Sequence, residues 1–99
     1  MKLIDVREIN EGKRFQAIFS DGKKTKFGQI DGSTYIDHKD KLKRKNYIAR
    51  HKRDLRTNDP QRAGFASLFL LWNKETLNAS IKDYNRRSKT NNWSLNYLD

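Results

Sequence analysis

The residues with the most chemical potential lie between Tyr35 and Arg53, a stretch that holds both histidines of the chain and most of its positive charge. His38 and His51, with Asp37 and Asp40, are residue types that bind zinc or magnesium. Asp37, His38 and Asp40 together form the kind of set that a metal-dependent nuclease uses for its ion and its base. The spacing argues against both. The histidines are thirteen residues apart, the chain has no cysteine to complete a zinc site, and lysines crowd the acids. Ordinary hydrogen-bonded histidines are the simpler expectation. Ser67 and Ser80 lack a nucleophile-elbow setting, and Gly28 and Gly32 form no phosphate-loop pattern. No catalytic constellation is visible, so the expectation is a non-enzymatic protein without a cofactor.

Charge is the clearer signal. Residues 39–62 carry ten Lys and Arg against Asp40, Asp54 and Asp59, seven of the chain's ten net positive charges. Charge concentrated in this way, with a pI near 10.0, favours an acidic partner: nucleic acid, an acidic protein face or an anionic membrane surface. The candidate contacts to phosphate or to an acidic partner are Lys39, Lys41, Lys43, Arg44, Lys45, Arg50, Lys52 and Arg53. A solvated helix face that merely keeps the protein soluble is the alternative. Base-specific readout is not expected, since no known DNA-reading motif is present.

These residues need a scaffold, and 99 residues supply one core. Mean hydropathy is −1.07, close to the disordered range, but eleven aromatic side chains argue for a folded domain with a thin core. The absence of cysteine leaves no disulfide framework. The first residues, Met1 to Glu8, hold too few consecutive apolar positions for a secretory signal, and the longest near-apolar run, residues 63–72, is about half a membrane span. An intracellular or virion-internal protein with no membrane span is expected.

Leu3, Ile4, Val6 and Ile9 predict a first strand, turned by residues 10–13. Asp21-Gly22 predicts a hairpin. A two-residue loop would set Phe19 opposite Lys24 and mix apolar with charged partners. A three-residue loop of Ser20, Asp21 and Gly22 pairs Phe15 with Phe27 and Ala17 with Thr25, and gathers the apolar residues on one face. After a linker over 28–34, Thr34 and Asp37 form a loose N-cap pattern for a helix beginning near Tyr35. Tyr47, Ile48, His51 and Leu55 share one side of it, with Leu42 and Ala49 opposite. Either the helix breaks near residues 39–41 or both sides are covered. Asp59-Pro60 predicts a second helix from residue 60 or 61 to 72, apolar on most sides and central to the core, with Trp72 as its last residue. Asn73 predicts the cap of a third helix, 74 to about 87, with Leu77, Ile81, Tyr84 and Ser88 as its inner edge. The expected fold is α+β: a three-stranded antiparallel meander followed by three helices, in one compact domain over residues 1–88. In the tail, 89–99, Trp93, Leu95 and Tyr97 alternate as candidate anchors, docking on this domain or on a partner.

Several short motifs occur in order: Phe19-Ser-Asp-Gly, Phe27-Gly-Gln, Tyr35-Ile-Asp-His-Lys-Asp, Tyr47-Ile-Ala-Arg-His-Lys, Ala63-Gly-Phe, Leu71-Trp-Asn-Lys, Leu77-Asn-Ala-Ser-Ile and Arg86-Arg87. Together, over about residues 13–88, they resemble a family of short basic proteins encoded by large double-stranded DNA viruses of algae and protists. Glu75 stands where that family's proline is expected, and Ser88 where an aromatic follows Arg-Arg. The resemblance implies a virus-encoded protein without known enzymatic activity, found in the virion and, during infection, in the host cytoplasm or viral factory. Two functions follow. The first is a minor capsid-associated component that contacts capsid or other virion proteins through its basic helix and its tail. The second is a protein that binds DNA or RNA without sequence preference and compacts or packages the genome.

Overall fold

A computed structural model describes residues 2–94. Strands β1 (Leu3–Glu11), β2 (Lys13–Phe19) and β3 (Lys24–Phe27) form an antiparallel sheet in the order β1-β2-β3. Helices α1 (Tyr35–His38), α2 (Lys41–His51), α3 (Ala63–Leu71) and α4 (Leu77–Thr90) follow, with a 3-10 helix, Lys52–Thr57, between α2 and α3. This is the expected α+β domain.

The hairpin takes the register that the apolar pattern demands. Phe15 pairs with Phe27 and Ala17 with Thr25, and Ser20, Asp21 and Gly22 make the loop. Gly22 has φ +88°, and the Phe19 N–H closes onto the Lys23 carbonyl at 3.0 Å. Phe15, Ala17, Phe19 and Phe27 are therefore all buried on one face, with the Phe15 and Phe27 rings stacked 5.8 Å apart. Against that face lies α3, whose residues Phe65 to Leu71 are all buried. It is the centre of the core, as its composition predicts. Irregular pairing in β1 between Leu3 and Asp5 turns Leu3 inward and leaves Ile4 61% exposed, and a second irregularity lies at Glu8/Glu11. The Asn85 side chain on α4 accepts from the Leu3 N–H (2.8 Å) and donates to the Leu3 carbonyl (3.0 Å), so the last helix pairs with the free edge of β1 at Leu3.

The first predicted helix breaks near residues 39–41, one of the two expected alternatives: Lys39 adopts a left-handed conformation (φ 56°), and Asp40 starts α2 afresh, its carboxylate accepting from the Leu42 and Lys43 N–H groups. Thr34 and Asp37 do cap α1, because Asp37 Oδ2 accepts from both the N–H and the hydroxyl of Thr34 at 2.9 Å. The same carboxylate is gripped by both terminal nitrogens of Arg14 at 2.6 and 2.7 Å, which ties α1 to β2.

The later helices depart from expectation at their ends. The second helix begins at Ala63 rather than at 60 or 61. The Pro60 carbonyl is taken by the Tyr84 hydroxyl (2.7 Å) and the Gln61 carbonyl by Thr25 Oγ1 (2.7 Å), while Asp59 closes a turn onto the Gln61 N–H. The last helix begins at Leu77, capped by Thr76, and not after Asn73. Asn73 is buried, and its amide donates to Asp83 at 2.5 Å. A helix end shifts when tertiary partners take its backbone or its cap. Finally, α4 runs to Thr90, three residues past the expected end near residue 87, and Trp93 folds back onto the core.

Candidate nucleic-acid interface

Local geometry decides which cations face out. On α2 the residues Arg44, Tyr47, Ile48 and His51 recur at helical spacing and form its inner side, against α3 and Trp72. Lys41, Lys43, Lys45 and Arg50 lie around the rest of the helix and are exposed, as are Lys52 and Arg53 in the 3-10 segment. Lys39 is exposed at the break, its amine 3.3 Å from the Ile36 carbonyl. Lys41, Lys43, Lys45, Arg50 and Arg53 form no ion pair among the described residues.

The acids within this stretch are spent locally. Asp40 caps α2. Asp54 sits 3.7 Å from His51 and against Gly64, where an added Cβ would meet its carboxyl carbon at 3.0 Å. Asp59 holds the Gln61 N–H and approaches Lys23 at 4.0 Å. None of the three neutralises the outward face of α2, which stays positive.

Arg44 corrects the expectation. It is 4% exposed, and its Nε donates to the carbonyls of both Trp72 and Asn73 at 3.0 Å, with the guanidinium 5.6 Å from the Tyr35 ring centre. A cation at the C-terminal end of α3 satisfies carbonyls that the helix leaves open and suits the negative end of its dipole. Arg44 is structural, so it is withdrawn from the candidate contacts. The signal was present in the sequence, because Arg44 stands three and four residues before Tyr47 and Ile48 and shares their stripe.

The two histidines are kept apart by rings. His51 stacks on Tyr47 at 4.1 Å, Tyr47 stacks on Trp72 at 4.1 Å and 5°, and Trp72 meets His38 at 5.4 Å. Among the described residues no group of three or more His, Asp or Glu is placed to hold a metal ion. Burial raises the Tyr47 hydroxyl pKa, partly opposed by its contact with Ser67. Asp37 is held well below the usual carboxylate range by Arg14, with burial opposing and Thr34 assisting.

Trp93 is not a free anchor. Its ring meets Phe65, Phe69 and Tyr84 edge-on at 4.9–5.2 Å, so it docks on its own domain. The aromatic contacts that hold it were not legible from the alternating tail. Leu95 and Tyr97 lie outside the described residues. Also unforeseen is Arg56, which joins Arg50, Lys52 and Arg53 around an open hollow of about 480 Å³ floored by Ala49 and Leu55. Leu42, on the outward side of α2, is 66% exposed. No helix among the described residues is long and apolar enough to cross a membrane.

The molecule is thus a small α+β domain that presents a short, uncompensated basic helix. A family of unknown function, DUF5754, matches residues 7–51, from within β1 to the end of α2, so the similarity takes in the sheet and most of the basic stretch but neither α3 nor α4. No curated protein and no solved structure matches the chain.

Proposed function

We propose that this protein binds nucleic acid through the phosphate backbone, without sequence preference. The resemblance to proteins of large DNA viruses directs that binding to compaction or packaging of a viral genome. The observation that carries the reading is the row of exposed cations Lys41, Lys43, Lys45, Arg50 and Arg53, none ion-paired among the described residues. From Lys41 to Arg50 the helix rises about 14 Å, while a duplex presents one charge per about 1.7 Å of axis. The five side chains spread over more than half of the helix circumference, so one duplex meets about four of them at once. Four phosphate contacts give a log–log salt slope of about −3.6, a loss of roughly 150-fold in affinity between 50 and 200 mM salt.

A salt series with a duplex and with single-stranded DNA and RNA tests this. Replacing Lys43, Lys45 and Arg50 by Gln should cut the slope by more than half without changing the fold, because all three are exposed. An unchanged slope refutes the reading.

Leu42 favours a second reading, a minor capsid-associated protein that sets α2 against an acidic protein face. A phosphate backbone makes no use of an exposed leucine among lysines, whereas an acidic groove with an apolar floor does. Leu42→Gln separates the two. It should leave duplex affinity unchanged and weaken binding to capsid protein if the second reading holds.

A further inference from the structure

Where α1, α2 and the end of α3 meet, a recess of about 180 Å³ is lined by Ser33, His38, Lys43, Asn46, Arg50 and Trp72. Lys43, Asn46 and Arg50 stand at i, i+3 and i+7 on α2 and supply one wall. Ser33 comes from the loop before α1, His38 from its last position, and Trp72 from the end of α3. The lining holds two cations, a hydroxyl, an amide and an imidazole, and no carboxylate. The volume is below that of pockets for drug-sized ligands, roughly 300–1,000 Å³, and suits a single small oxyanion with a few waters.

His38 shows what the recess lacks. Its Nδ1 accepts from the Asp40 N–H at 2.9 Å, so the neutral ring carries its proton on Nε2. That N–H is buried and has no hydrogen-bond partner among the described residues. A buried donor left without an acceptor is costly, and buried donors are rarely left so. The cations on the same lining, Lys43 and Arg50, carry no ion pair among the described residues either.

We infer that this recess is a phosphate seat: Lys43 and Arg50 close on the phosphate oxygens at the rim, with Asn46 and Ser33 as further donors, and a small turn of the His38 ring brings its Nε2 N–H, closed to solvent in the free protein, to a phosphate oxygen. The inference rests on the reading of α2 as a nucleic-acid interface and gives that interface a fixed point. One phosphate of the strand is held in a defined geometry, while the other cations act as exposed charges on either side. Arg50, shared between this recess and the hollow beside Arg53 and Arg56, links the seat to the rest of the basic face.

The test follows the imidazole nitrogens and the Nε2 proton of His38 by NMR while the protein is titrated, at constant ionic strength, with a 20-base-pair duplex and separately with inorganic phosphate. The seat predicts that saturating duplex moves the Nε2 signals and slows exchange of that proton. In a Lys43→Gln, Arg50→Gln double variant the movement should be lost, while residual duplex binding persists with a slope smaller by about 1.8. If duplex binds with its full slope and the His38 signals stay still, the seat is overturned and the wider basic face survives. If the folded protein binds no duplex, the parent reading fails. Inorganic phosphate then decides alone: movement of the Nε2 signals, lost in the double variant, retains the seat for a small phosphate compound, and no movement overturns it.

Discussion

Arg44→Met separates structure from binding within the basic stretch. The substitution keeps an unbranched apolar stem in the same volume but removes the charge. In the native protein one N–H serves the carbonyls of Trp72 and Asn73, both at 3.0 Å, in a site where the arginine is 4% exposed. Hydrogen bonds from a charged donor are worth about 1.5–3 kcal/mol, and the guanidinium over Tyr35 adds about 0.5–2 kcal/mol. Removing the cation leaves two buried carbonyls with less than they need, so a net loss of about 3 kcal/mol is expected. For a domain of this size each kcal/mol lowers the melting temperature by about 4 °C or more, so Arg44→Met should melt about 12 °C below the parent. Thermal denaturation followed by circular dichroism measures this, and the salt slope of duplex binding is read below the melting range. The slope should not change. Lys43→Gln, one residue away and exposed, should do the reverse: a melting temperature within about 2 °C of the parent and a slope smaller by about 0.9. If Arg44→Met melts within about 3 °C of the parent and loses slope as Lys43→Gln does, the assignment of Arg44 to the core is wrong.

Two further substitutions probe the scaffold. Asp83 is buried, and its carboxylate takes Arg87 at 2.6 Å, Arg86 at 2.5 Å and Asn73 at 2.5 Å; burial pushes its pKa up, but these three donors outweigh burial and leave it lowered. Asp83→Ala strands the buried Arg87 and should cost about 3–5 kcal/mol in urea unfolding, whereas a loss under 1 kcal/mol shows that the network is not tightly held. Asp37→Asn tests pH dependence: Arg14 depresses the folded pKa of Asp37, so its contribution is present above the unfolded value of about 3.9 and fades as the pH falls through and below it. The gap in melting temperature between the parent and Asp37→Asn should therefore be widest near pH 7 and shrink steadily below about pH 4. A gap that holds constant down to about pH 2.5 means the Arg14 pair contributes nothing that titrates.

Patterns that act within a few residues were legible in the sequence alone. The Phe15–Phe27 register follows from alternation, since a one-residue slip would turn phenylalanines to solvent and lysines to the core. The Thr34–Asp37 cap, the burial of residues 65–72 and the concentration of charge after residue 39 are equally local. Tertiary structure decided whatever depends on a partner distant in the chain. Arg44 was one more basic residue until the end of α3 offered it two carbonyls. Asn73 was a cap until Asp83 drew its side chain inward, and Pro60 was a helix start until Tyr84 took its carbonyl. Trp93 was a loose aromatic until Phe65, Phe69 and Tyr84 enclosed it. The recess around His38 is built from four separate segments, so no spacing along the chain announces it. In each case a long-range hydrogen bond or ring contact outweighed a local preference of comparable or smaller energy, and that competition is settled only when the chain is packed.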